Sequence, residues 1–495
     1  MTTLTAVLER GLHDANALVI PGGPTLSYGA LSSEVERLSE ELTAQGVVPG
    51  RSVSIVLPNS LEFVTIFLAV ARTGAIAAPL NSAYTQDEFN FFMEDADAHL
   101  AIISSENDAA RDAAEGLQIP ILTADSDDAG ATHIFYGGSK LSQREAADLP
   151  STEDTALFLH TSGTTSRPKG VPLTHGNLAT SLKNIRDTYN LTSDDVAMVV
   201  MPLFHVHGLI GVTLSTFSSG GSIVVPDRFS ATNFWQIQAA TGATWYSAVP
   251  TIHQILLLRA DEDNAPSKSF RFIRSCSSAL APSVFDQLEA RFGAPVLEAY
   301  GMTEASHQMS SSPFDDRRAG TVGKGTGVDI AIMGDNGMLL PAGEIGEVVI
   351  NGPNVTHGYA NNPEANKEAF AHGWFHTGDQ GLLSDDGYLS LTGRLKELIN
   401  RAGEKISPLE VDGILLKHPA VNEAVCFAAP DEKYGEVVHA AVVLGGDATP
   451  EEIMAHCRTH MAEFKVPQVI YFAESLPRTA TGKIQRRHVA TAFLE

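Results

Sequence analysis

Residues 161–170 have the composition of a loop that holds phosphate. They read Thr-Ser-Gly-Thr-Thr-Ser-Arg-Pro-Lys-Gly and follow an apolar run, residues 156–160, that predicts a strand. Glycine lets the backbone approach a ligand, hydroxyl and amide groups donate to phosphate oxygens, and lysine adds positive charge. A P-loop is excluded, because Pro168, Lys169 and Gly170 stand where that motif needs Gly-Lys-Ser/Thr. A flexible surface loop of the same composition remains the alternative.

Three further segments carry side chains suited to nucleotide chemistry. Glu304 follows Thr303 and offers the oxygen ligand that Mg²⁺ prefers, although a Thr-Glu pair is also typical of a helix start. Asp379 can accept hydrogen bonds from the two hydroxyls of a ribose, but an Asp after Gly is equally typical of a turn. Lys483 could neutralise developing charge, whereas a lysine at such a place is usually a solvated cation.

Together, five segments resemble, in order, the signature motifs of the adenylate-forming enzymes, the family of acyl-CoA synthetases, luciferases and peptide-synthetase adenylation domains. The segments are residues 161–170, 300–304, 376–379, 393–397 with 403–406, and 477–484. Ser166 and Arg167 depart from the usual Gly-Lys or Gly-Arg of the first motif. With an N-terminal part of fitting length, the resemblance covers essentially the whole chain.

The resemblance implies binding of ATP, Mg²⁺ and coenzyme A. The expected ATP-binding residues are Thr161, Ser162, Gly163, Thr164, Thr165, Lys169, Ser278, Ala279, Glu298, Ala299, Tyr300, Thr303, Asp379, Arg394 and Lys483. Tyr300 is expected to offer a flat face to adenine. Glu304 and Thr164 are expected at the metal, and the expected catalytic residues are Lys483, His205, Thr303 and Glu304.

The reaction implied has two halves. A carboxylate attacks the α-phosphate of ATP, giving an acyl-adenylate and pyrophosphate, and a thiol then opens this mixed anhydride. By resemblance, Lys483 reaches the substrate carboxylate and the α-phosphate in the first half. The C-terminal domain then rotates about a hinge at Lys396, and a loop comes in beside the pantetheine of CoA. That loop carries the tentative CoA-binding residues Arg401, Gly403, Glu404 and Lys405; some relatives have lysine where Asn400 stands.

The acid pocket is expected, by the same resemblance, from residues 204–208, 275–279 and 301–309. His205 and His207 are spaced like a metal pair, but no third ligand is evident, and a packed, hydrogen-bonded histidine is the alternative for either. Polarity distinguishes the pocket, because relatives that take fatty or aromatic acids have apolar residues at several of these places, whereas here His207, Ser277 and His307 fall on the pocket segments. Arg274 is close in sequence, and its direction stays open.

Residues 160–174, 202–208, 273–278 and 302–307 closely resemble the oxalate–CoA ligases of plants and fungi. In a closed site the second carboxylate of oxalate must have hydrogen-bond donors, because burial of a lone carboxylate is costly. Two imidazoles and a hydroxyl can donate to it, and an imidazolium would also neutralise its charge. The expected substrate-binding residues are His207, Ser277, Gly301 and His307. Relatives tend to have Ala at position 301, so Gly301 is expected to leave room for a methyl group and a slightly longer acid.

Other functions stay in view. A short- or medium-chain fatty acyl-CoA synthetase or another dicarboxylate–CoA synthetase is the main alternative, and a luciferase-type oxygenase shares every motif. A peptide-synthetase module would need a fused carrier domain, and none is expected in the ten or so residues after Lys483. A nucleotide sensor would be expected to lack Lys483 or Glu304, and both are present.

Composition narrows the class of protein. The 33 Lys+Arg against 59 Asp+Glu give a net charge of −26, which argues against nucleic acid and anionic lipid as partners. The three cysteines, far apart, predict neither a disulfide framework nor a Cys-rich zinc site. No signal peptide or membrane span is evident, so we expect a cytoplasmic protein acting on a small carboxylic acid, either as a monomer or as a homodimer.

Hydrophobic patterns indicate how these residues are positioned. Residues 52–57, 60–72 and 75–80 predict a β-α-β unit and hence parallel sheet. Short strands from residue 320 predict a β-rich subdomain, and residues past 394 alternate helix and strand. The resulting prediction is an α/β fold: an N-terminal domain of residues 1–393, with two stacked α/β sheet subdomains and the β-rich subdomain; a hinge at 394–396; and a small, mobile α+β C-terminal lid, residues 397–495, that carries Lys483.

Overall fold

The computed structural model of the protein describes residues 1–161, 168–261, 265–266, 270–479 and 482–494. The strands within these residues are β1 (Asn16–Val19), β2 (Thr25–Ser27), β3 (Ser52–Val56), β4 (Ile76–Pro79), β5 (Ala98–Ile103), β6 (Ile121–Ser126), β7 (Thr132–Tyr136), β8 (Ser139–Lys140), β9 (Thr155–His160), β10 (Gly170–Thr174), β11 (Val196–Met198), β12 (Ser222–Val224), β13 (Trp245–Ala248), β14 (Phe272–Ser275), β15 (Val296–Met302), β16 (His307–Ser311), β17 (Lys324–Gly325), β18 (Asp329–Met333), β19 (Gly346–Asn351), β20 (Phe375–Leu383), β21 (Leu389–Arg394), β22 (Ile399–Arg401), β23 (Glu404–Ile406), β24 (Val421–Asp431), β25 (Gly435–Leu444) and β26 (Val469–Phe472).

The α-helices are α1 (Tyr28–Thr43), α2 (Leu61–Arg72), α3 (Gln86–Asp95), α4 (Asp108–Gly116), α5 (His175–Thr188), α6 (Val206–Gly208), α7 (Ser215–Phe217), α8 (Phe234–Thr241), α9 (Pro250–Leu258), α10 (Pro282–Phe292), α11 (Pro363–Ala369), α12 (Pro408–Leu415), α13 (Pro450–His460) and α14 (Arg486–Leu494). A π-helical segment, Leu209–Leu214, joins α6 to α7, and short 3₁₀ turns include Thr303–Ala305 and Leu395–Glu397.

Local sequence explains where α1 begins and which face it buries. The Ser27 hydroxyl accepts a hydrogen bond from the Ala30 N–H, which satisfies one of the free donors of the first turn. Leu31, Leu38 and Leu42, spaced at helical intervals, are all buried. The predicted helix after Ser27 is therefore confirmed.

Two large sheets form the N-terminal part. A nine-stranded sheet has the order β17-β16-β15-β14-β13-β11-β12-β1-β2, and an eight-stranded sheet has the order β10-β9-β4-β3-β5-β6-β7-β8. Their central strands are parallel, as the β-α-β pattern predicts. One continuous apolar cluster contains residues of both sheets and of α1, α2 and α5, so these helices lie between the sheets. Helices α8, α9 and α10 pack on the nine-stranded sheet, and α3 and α4 pack on the eight-stranded sheet.

The remainder of the chain forms two smaller units. Strands β18-β19-β20-β21 make an antiparallel four-stranded sheet, which is the predicted β-rich subdomain. Strands β22 to β26 make a separate five-stranded sheet that shares an apolar core with α12 and α13, and α14 packs with β24. The predicted fold class is therefore confirmed, whereas the exact domain boundary at 394–396 stays a prediction. In the described part of the chain, no helix has the length and apolarity needed to cross a bilayer.

Candidate active site

The parallel strands of the nine-stranded sheet end on one edge, where β13, β14 and β15 bring together residues that are distant in sequence. Ser247 lies in β13 and Arg274 in β14, and Ser277 follows β14 in a loop. His307 begins β16, directly after the turn that follows β15. The carboxyl ends of parallel strands are the usual place for a ligand site in such sheets.

The base of the predicted phosphate loop is a short hairpin. The Thr161 N–H donates to the Lys169 carbonyl at 3.0 Å, and the Lys169 N–H donates to the Thr161 hydroxyl at 3.2 Å. The Lys169 ammonium lies 4.4 Å from the centre of the Tyr359 ring. The predicted residues Ser162, Gly163, Thr164 and Thr165 lie outside the described residues.

Glu304 belongs to the 3₁₀ turn Thr303–Ala305, with Thr303 half-buried beside it. Its side chain is buried, and Oε1 accepts a hydrogen bond from the Tyr359 hydroxyl at 2.8 Å. Burial raises the pKa of Glu304, and the positive charges of Arg394 and Lys169 oppose that rise only in part. A cation beside this carboxylate would therefore favour its ionised form.

Asp379 and Arg394 are opposite each other on β20 and β21. Asp379 Oδ1 lies 3.0 Å from Arg394 Nε, and Oδ2 accepts the hydroxyl hydrogen of Tyr300. Burial, followed by the charge of Asp379, raises the pKa of Tyr300 well above its usual range. An ion pair and a hydrogen bond thus join three of the predicted ATP-binding residues in one group.

Glu298 is a buried carboxylate in β15, with Ala299 buried beside it. Its Oε2 accepts a hydrogen bond from the Leu280 N–H at 3.4 Å, while Oε1 is buried without a partner among the described residues. Burial raises the pKa of Glu298 to about 8. Ser278 and Ala279, in the loop before α10, are exposed.

The C-terminal part delivers Lys483 to this region. The Thr251 hydroxyl, at the start of α9, accepts from Arg478 Nη1 at 2.5 Å and donates to the Gly482 carbonyl at 3.4 Å. Burial lowers the pKa of Lys483, as does the nearby charge of Arg394. Burial, and then the charge of Lys483, lowers the pKa of His205 to about 4. Lys483 is therefore close to the predicted nucleotide residues and to His205.

The contact between α9 and the C-terminal part contains one more hydrogen bond and a cavity. Gln254 Nε2, in α9, donates to the Asn422 carbonyl in β24 at 3.3 Å. A cavity of about 540 Å³ lies beside this bond, between α9, α10 and the C-terminal part. Its lining includes Leu257, Leu258 and Leu416. We refer to the bonds of Thr251, Arg478, Gly482, Gln254 and Asn422 as the polar seam.

The predicted acid-binding residues form a hydrogen-bonded wall. His207 Nδ1 lies 3.0 Å from Ser277 Oγ, and His207 Nε2 lies 2.6 Å from Ser247 Oγ. The His207 and His307 rings stack with their centres 5.4 Å apart. Arg274 Nη2 donates to His307 Nε2 at 2.9 Å, and Nη1 donates to Ser247 at 3.0 Å. We call these five residues the acid wall.

The surroundings of both histidines of the acid wall favour the neutral form. Burial, followed by the charge of Arg274, lowers the pKa of His207 and of His307 well below its usual range. These directions argue against the expectation that an imidazolium neutralises the substrate. The positive charge belongs instead to Arg274.

Gly301 does not create space in the pocket, contrary to the sequence-based expectation. A Cβ atom at this position would overlap the carbonyl oxygen of His307 and lie 2.7 Å from its carbonyl carbon. The two strands approach closely here because the pairing of β15 with β16 shifts register next to Gly301. The absent side chain serves this backbone contact, so the predicted room for a methyl group is wrong.

Unusual backbone conformations shape the acid wall. Ser277, Ser306 and His307 have φ values of 73°, 50° and 94°, which non-glycine residues rarely adopt. The His307 ring rests against Gly211 of the π-helical segment, where a Cβ atom would lie 2.6 Å from His307 Cδ2. Strained residues and π-helical turns concentrate at functional sites.

The predicted hinge and CoA-binding residues are not brought to the acid wall. Lys396 is exposed in the turn Leu395–Glu397. Arg401 lies with its guanidinium 3.9 Å from the centre of the Tyr434 ring, within the C-terminal sheet. Gly403, Glu404 and Lys405 are exposed in the hairpin of β22 and β23.

Sequence reasoning missed part of the site. No sequence pattern points to Ser247, or to Tyr189 and Gln308, which accept hydrogen bonds from Arg274. The sequence also leaves the direction of Arg274 open. The alternating pattern of β14 placed Arg274 and Phe272 on one face of the strand, but it could not show that this face is buried.

Comparison with known proteins places the chain in a family. Residues 7–360 match the model of the AMP-binding enzyme family, and residues 410–483 match the model of the AMP-binding enzyme C-terminal domain. The chain is 50% identical to oxalate–CoA ligase of Arabidopsis thaliana over 508 aligned positions, covering 100% of this chain and 99% of the relative. It is 48% identical to oxalate–CoA ligase of Saccharomyces cerevisiae, covering 89% of this chain and 87% of that one.

Solved structures agree with this placement. The crystal structure of ATP-bound MatB from Rhodopseudomonas palustris superposes with a TM-score of 0.90 at 30% identity, covering 100% of this chain and 99% of that chain. The resemblance drawn from the five motifs is confirmed. The chain belongs to the AMP-binding enzyme family, and thus to the adenylate-forming enzymes.

Proposed function

We propose that this protein is an AMP-forming acid–thiol ligase that joins oxalate to coenzyme A. The names of the Arabidopsis and yeast relatives support oxalate as the acid. The observation that carries the proposal is the acid wall, where His207, Ser277 and His307 are held by a buried arginine. A fatty acid would leave these polar groups without partners, at about 1–3 kcal/mol each.

ATP would bind between the phosphate loop and the four-stranded sheet. Thr161 and Lys169 would flank the phosphates, and Asp379, held by Arg394, would accept the ribose hydroxyls. Ser278, Ala279, Glu298, Ala299 and Tyr300 would surround the adenine. The unpartnered Oε1 of Glu298 is a ready acceptor for an amino group, because a buried oxygen without a donor is costly.

Mg²⁺ would enter with ATP and bind Glu304. The Glu304 carboxylate is buried, and burial raises its pKa, so a divalent cation would stabilise the ionised form. Thr164, the second predicted metal residue, lies outside the described residues. The ion would neutralise charge on the phosphates, while Thr303 supplies a hydroxyl next to the same carboxylate.

Adenylation would depend on positioning and on positive charge. The carboxylate oxygen of the acid attacks the α-phosphorus, and pyrophosphate leaves. Lys483 would stabilise the charge that develops on the α-phosphate, because its ammonium is partly desolvated beside Arg394. His205, kept neutral by burial and by Lys483, would hydrogen-bond at the reacting end of the acid.

Thioester formation would follow a rotation of the C-terminal lid, residues 397–495, about the hinge at 394–396. Lys396 is the hinge residue in this proposal, and Arg401, Gly403, Glu404 and Lys405 would then approach CoA. The exposure of the β22–β23 hairpin supports this assignment, because the hairpin is free to meet a new surface. The thiol sulfur attacks the carbonyl carbon of the adenylate, and AMP leaves.

The test is a pyrophosphate-release panel with oxalate, malonate, acetate, hexanoate and cinnamate, each with and without CoA. We expect AMP and pyrophosphate as products and the highest kcat/KM for oxalate. Formation of ADP and phosphate would overturn the reaction class. A preference for hexanoate or cinnamate would overturn the choice of acid.

Two variants sharpen this panel. His307→Ala is expected to lower kcat/KM for oxalate by about 10- to 100-fold, at about 1.4 kcal/mol per tenfold, and to lower activity on propionate less. His460→Ala is the matched control, because His460 is exposed in the C-terminal part. Equal losses on oxalate and propionate in His307→Ala would contradict a role in recognising the second carboxylate.

A further inference from the structure

Arg274 is a buried cation that has no carboxylate partner among the described residues. Its side chain is completely buried in β14. Nε donates to the Tyr189 hydroxyl at 2.8 Å, and Nη2 donates to Gln308 Oε1 at 3.1 Å as well as to His307. Removing a guanidinium from water costs several kcal/mol, which neutral acceptors repay only in part. An anion bound close to Arg274 would supply the missing charge.

One arm of the guanidinium sets the proton position on His307. Arginine can only donate, so Nε2 of the neutral His307 must accept, and the ring then carries its proton on Nδ1. This Nδ1 has no hydrogen-bond partner among the described residues. This chain of hydrogen bonds, which we call one arm, therefore ends at the N–H of His307 Nδ1, which is available to a ligand at the acid wall.

The other arm runs through Ser247 and His207. Ser247 accepts from Arg274 Nη1, so its own proton is available to His207 Nε2 at 2.6 Å. His207 then carries its proton on Nδ1 and donates to Ser277 Oγ at 3.0 Å. The Ser277 hydroxyl is half-buried, and its proton is free to point away from the wall. This arm also ends in a donor.

We propose that Arg274 is a positioning residue that fixes both arms with their donors facing the substrate and supplies the positive charge that favours a dianionic acid. Arg274 need not touch the acid. It orients the donor of His307 directly, and it orients the donor of Ser277 through Ser247 and His207. The inference deepens the proposed function and rests on it: the substrate class is a short acid with a second negative group. A monocarboxylate gains less from this charge, because it has no second carboxylate to place at the acid wall.

The experiment compares oxalate with acetate in Arg274→Met and Arg274→Lys, by steady-state pyrophosphate release with ATP and CoA. Arg274→Met is expected to lower kcat/KM for oxalate by about 100-fold, mainly through KM, and for acetate by less than about fivefold. Arg274→Lys keeps the charge and is expected to remain within about tenfold of the wild type on oxalate. Arg72→Met is the control, because Arg72 is the last residue of α2, far from Arg274 in sequence, and forms an ion pair with Glu36.

A pH series separates positioning from a structural role. Burial and, second, the charge of Arg274 lower the pKa of His207 and of His307. Without Arg274 the burial remains but the repulsion is lost, so both pKa values rise and a bound dianion raises them further. The oxalate kcat/KM of Arg274→Met, relative to the wild type, is therefore expected to increase as the pH falls from 8 to 6, because an imidazolium replaces the lost charge. The other titratable groups that face these histidines, His205 near both and His253 near His207, are the same in both proteins.

The outcomes are distinct. If the wild type does not prefer oxalate to acetate, the proposed function fails. If the wild type prefers oxalate but Arg274→Met lowers both substrates equally, with no gain at low pH, the inference about Arg274 fails. Should Arg274→Met not fold, Arg274→Lys decides: a selective loss above about 100-fold on oxalate would overturn a role based on charge.

Discussion

Replacing Lys483 with alanine is expected to stop adenylation and to leave thioester formation largely intact. In the structure, Lys483 is held near His205 and Arg394, and burial and the charge of Arg394 lower its pKa. Such a partly desolvated ammonium interacts strongly with charge that develops beside it. Removal of one preorganised donor typically costs about 10²- to 10³-fold in rate, or about 2.7–4 kcal/mol.

The assay measures the two half-reactions separately. Pyrophosphate release from ATP and oxalate reports the first, and consumption of the CoA thiol by a pre-made acyl-adenylate reports the second. We expect a loss of at least about 100-fold in the first and less than about threefold in the second. Lys417→Ala serves as the control, because Lys417 is exposed in the same part of the chain. Equal losses in both assays would show that Lys483 is structural, and the reasoning would be refuted.

Three further predictions address the hinge, the strand contact and a buried carboxylate. Lys396→Pro fixes φ near −65° and is expected to preserve one half-reaction and stop the other; wild-type rates in both assays would place the rotation elsewhere. Gly301→Ala is expected to lower Tm and activity on every acid, because its Cβ would overlap the His307 backbone; a change limited to the oxalate-to-malonate ratio would contradict this. The pKa of Glu298 is raised by burial from 4.5 to about 8, so its contribution to stability is present below pH 4.5 and is lost as the pH rises to about 8. Relative to Glu298→Gln, the wild type should therefore lose Tm between pH 5 and 8, and parallel Tm curves would disprove the shift.

Local sequence rules predict much of the fold. The Ser27 cap and the apolar face of α1 depend on neighbours within a few turns, so the sequence is sufficient to place them. The resemblance to the family predicts that His207, Ser277 and His307 line one pocket, and the structure brings them together.

The remaining features depend on distant parts of the chain. Burial of Arg274 requires Tyr189, Gln308 and the surrounding sheet, and an arginine is exposed by default. The neutral state of His307 follows from that burial and from Arg274 together, so no local pattern could have predicted it. A glycine in sequence shows that a side chain is missing, but only the paired strand shows that Gly301 faces backbone rather than ligand.

The polar seam has a consequence for the balance between orientations of the C-terminal part. Its bonds, from Arg478 to Thr251 and from Gln254 to the Asn422 carbonyl, are ones that water can replace. The neutral bond contributes only about 0.5–1.5 kcal/mol net, and the bond from the charged arginine about 1.5–3 kcal/mol. Opening it also exposes little apolar surface where the cavity already separates Leu258 from Leu416. If the lid rotates as proposed, two orientations held apart by bonds this weak would respond to whichever ligand binds one of them more tightly. In the proposed rotation, the succession of ATP, adenylate and AMP in the site would therefore set the direction of the cycle, and the polar seam would break and re-form at each turnover.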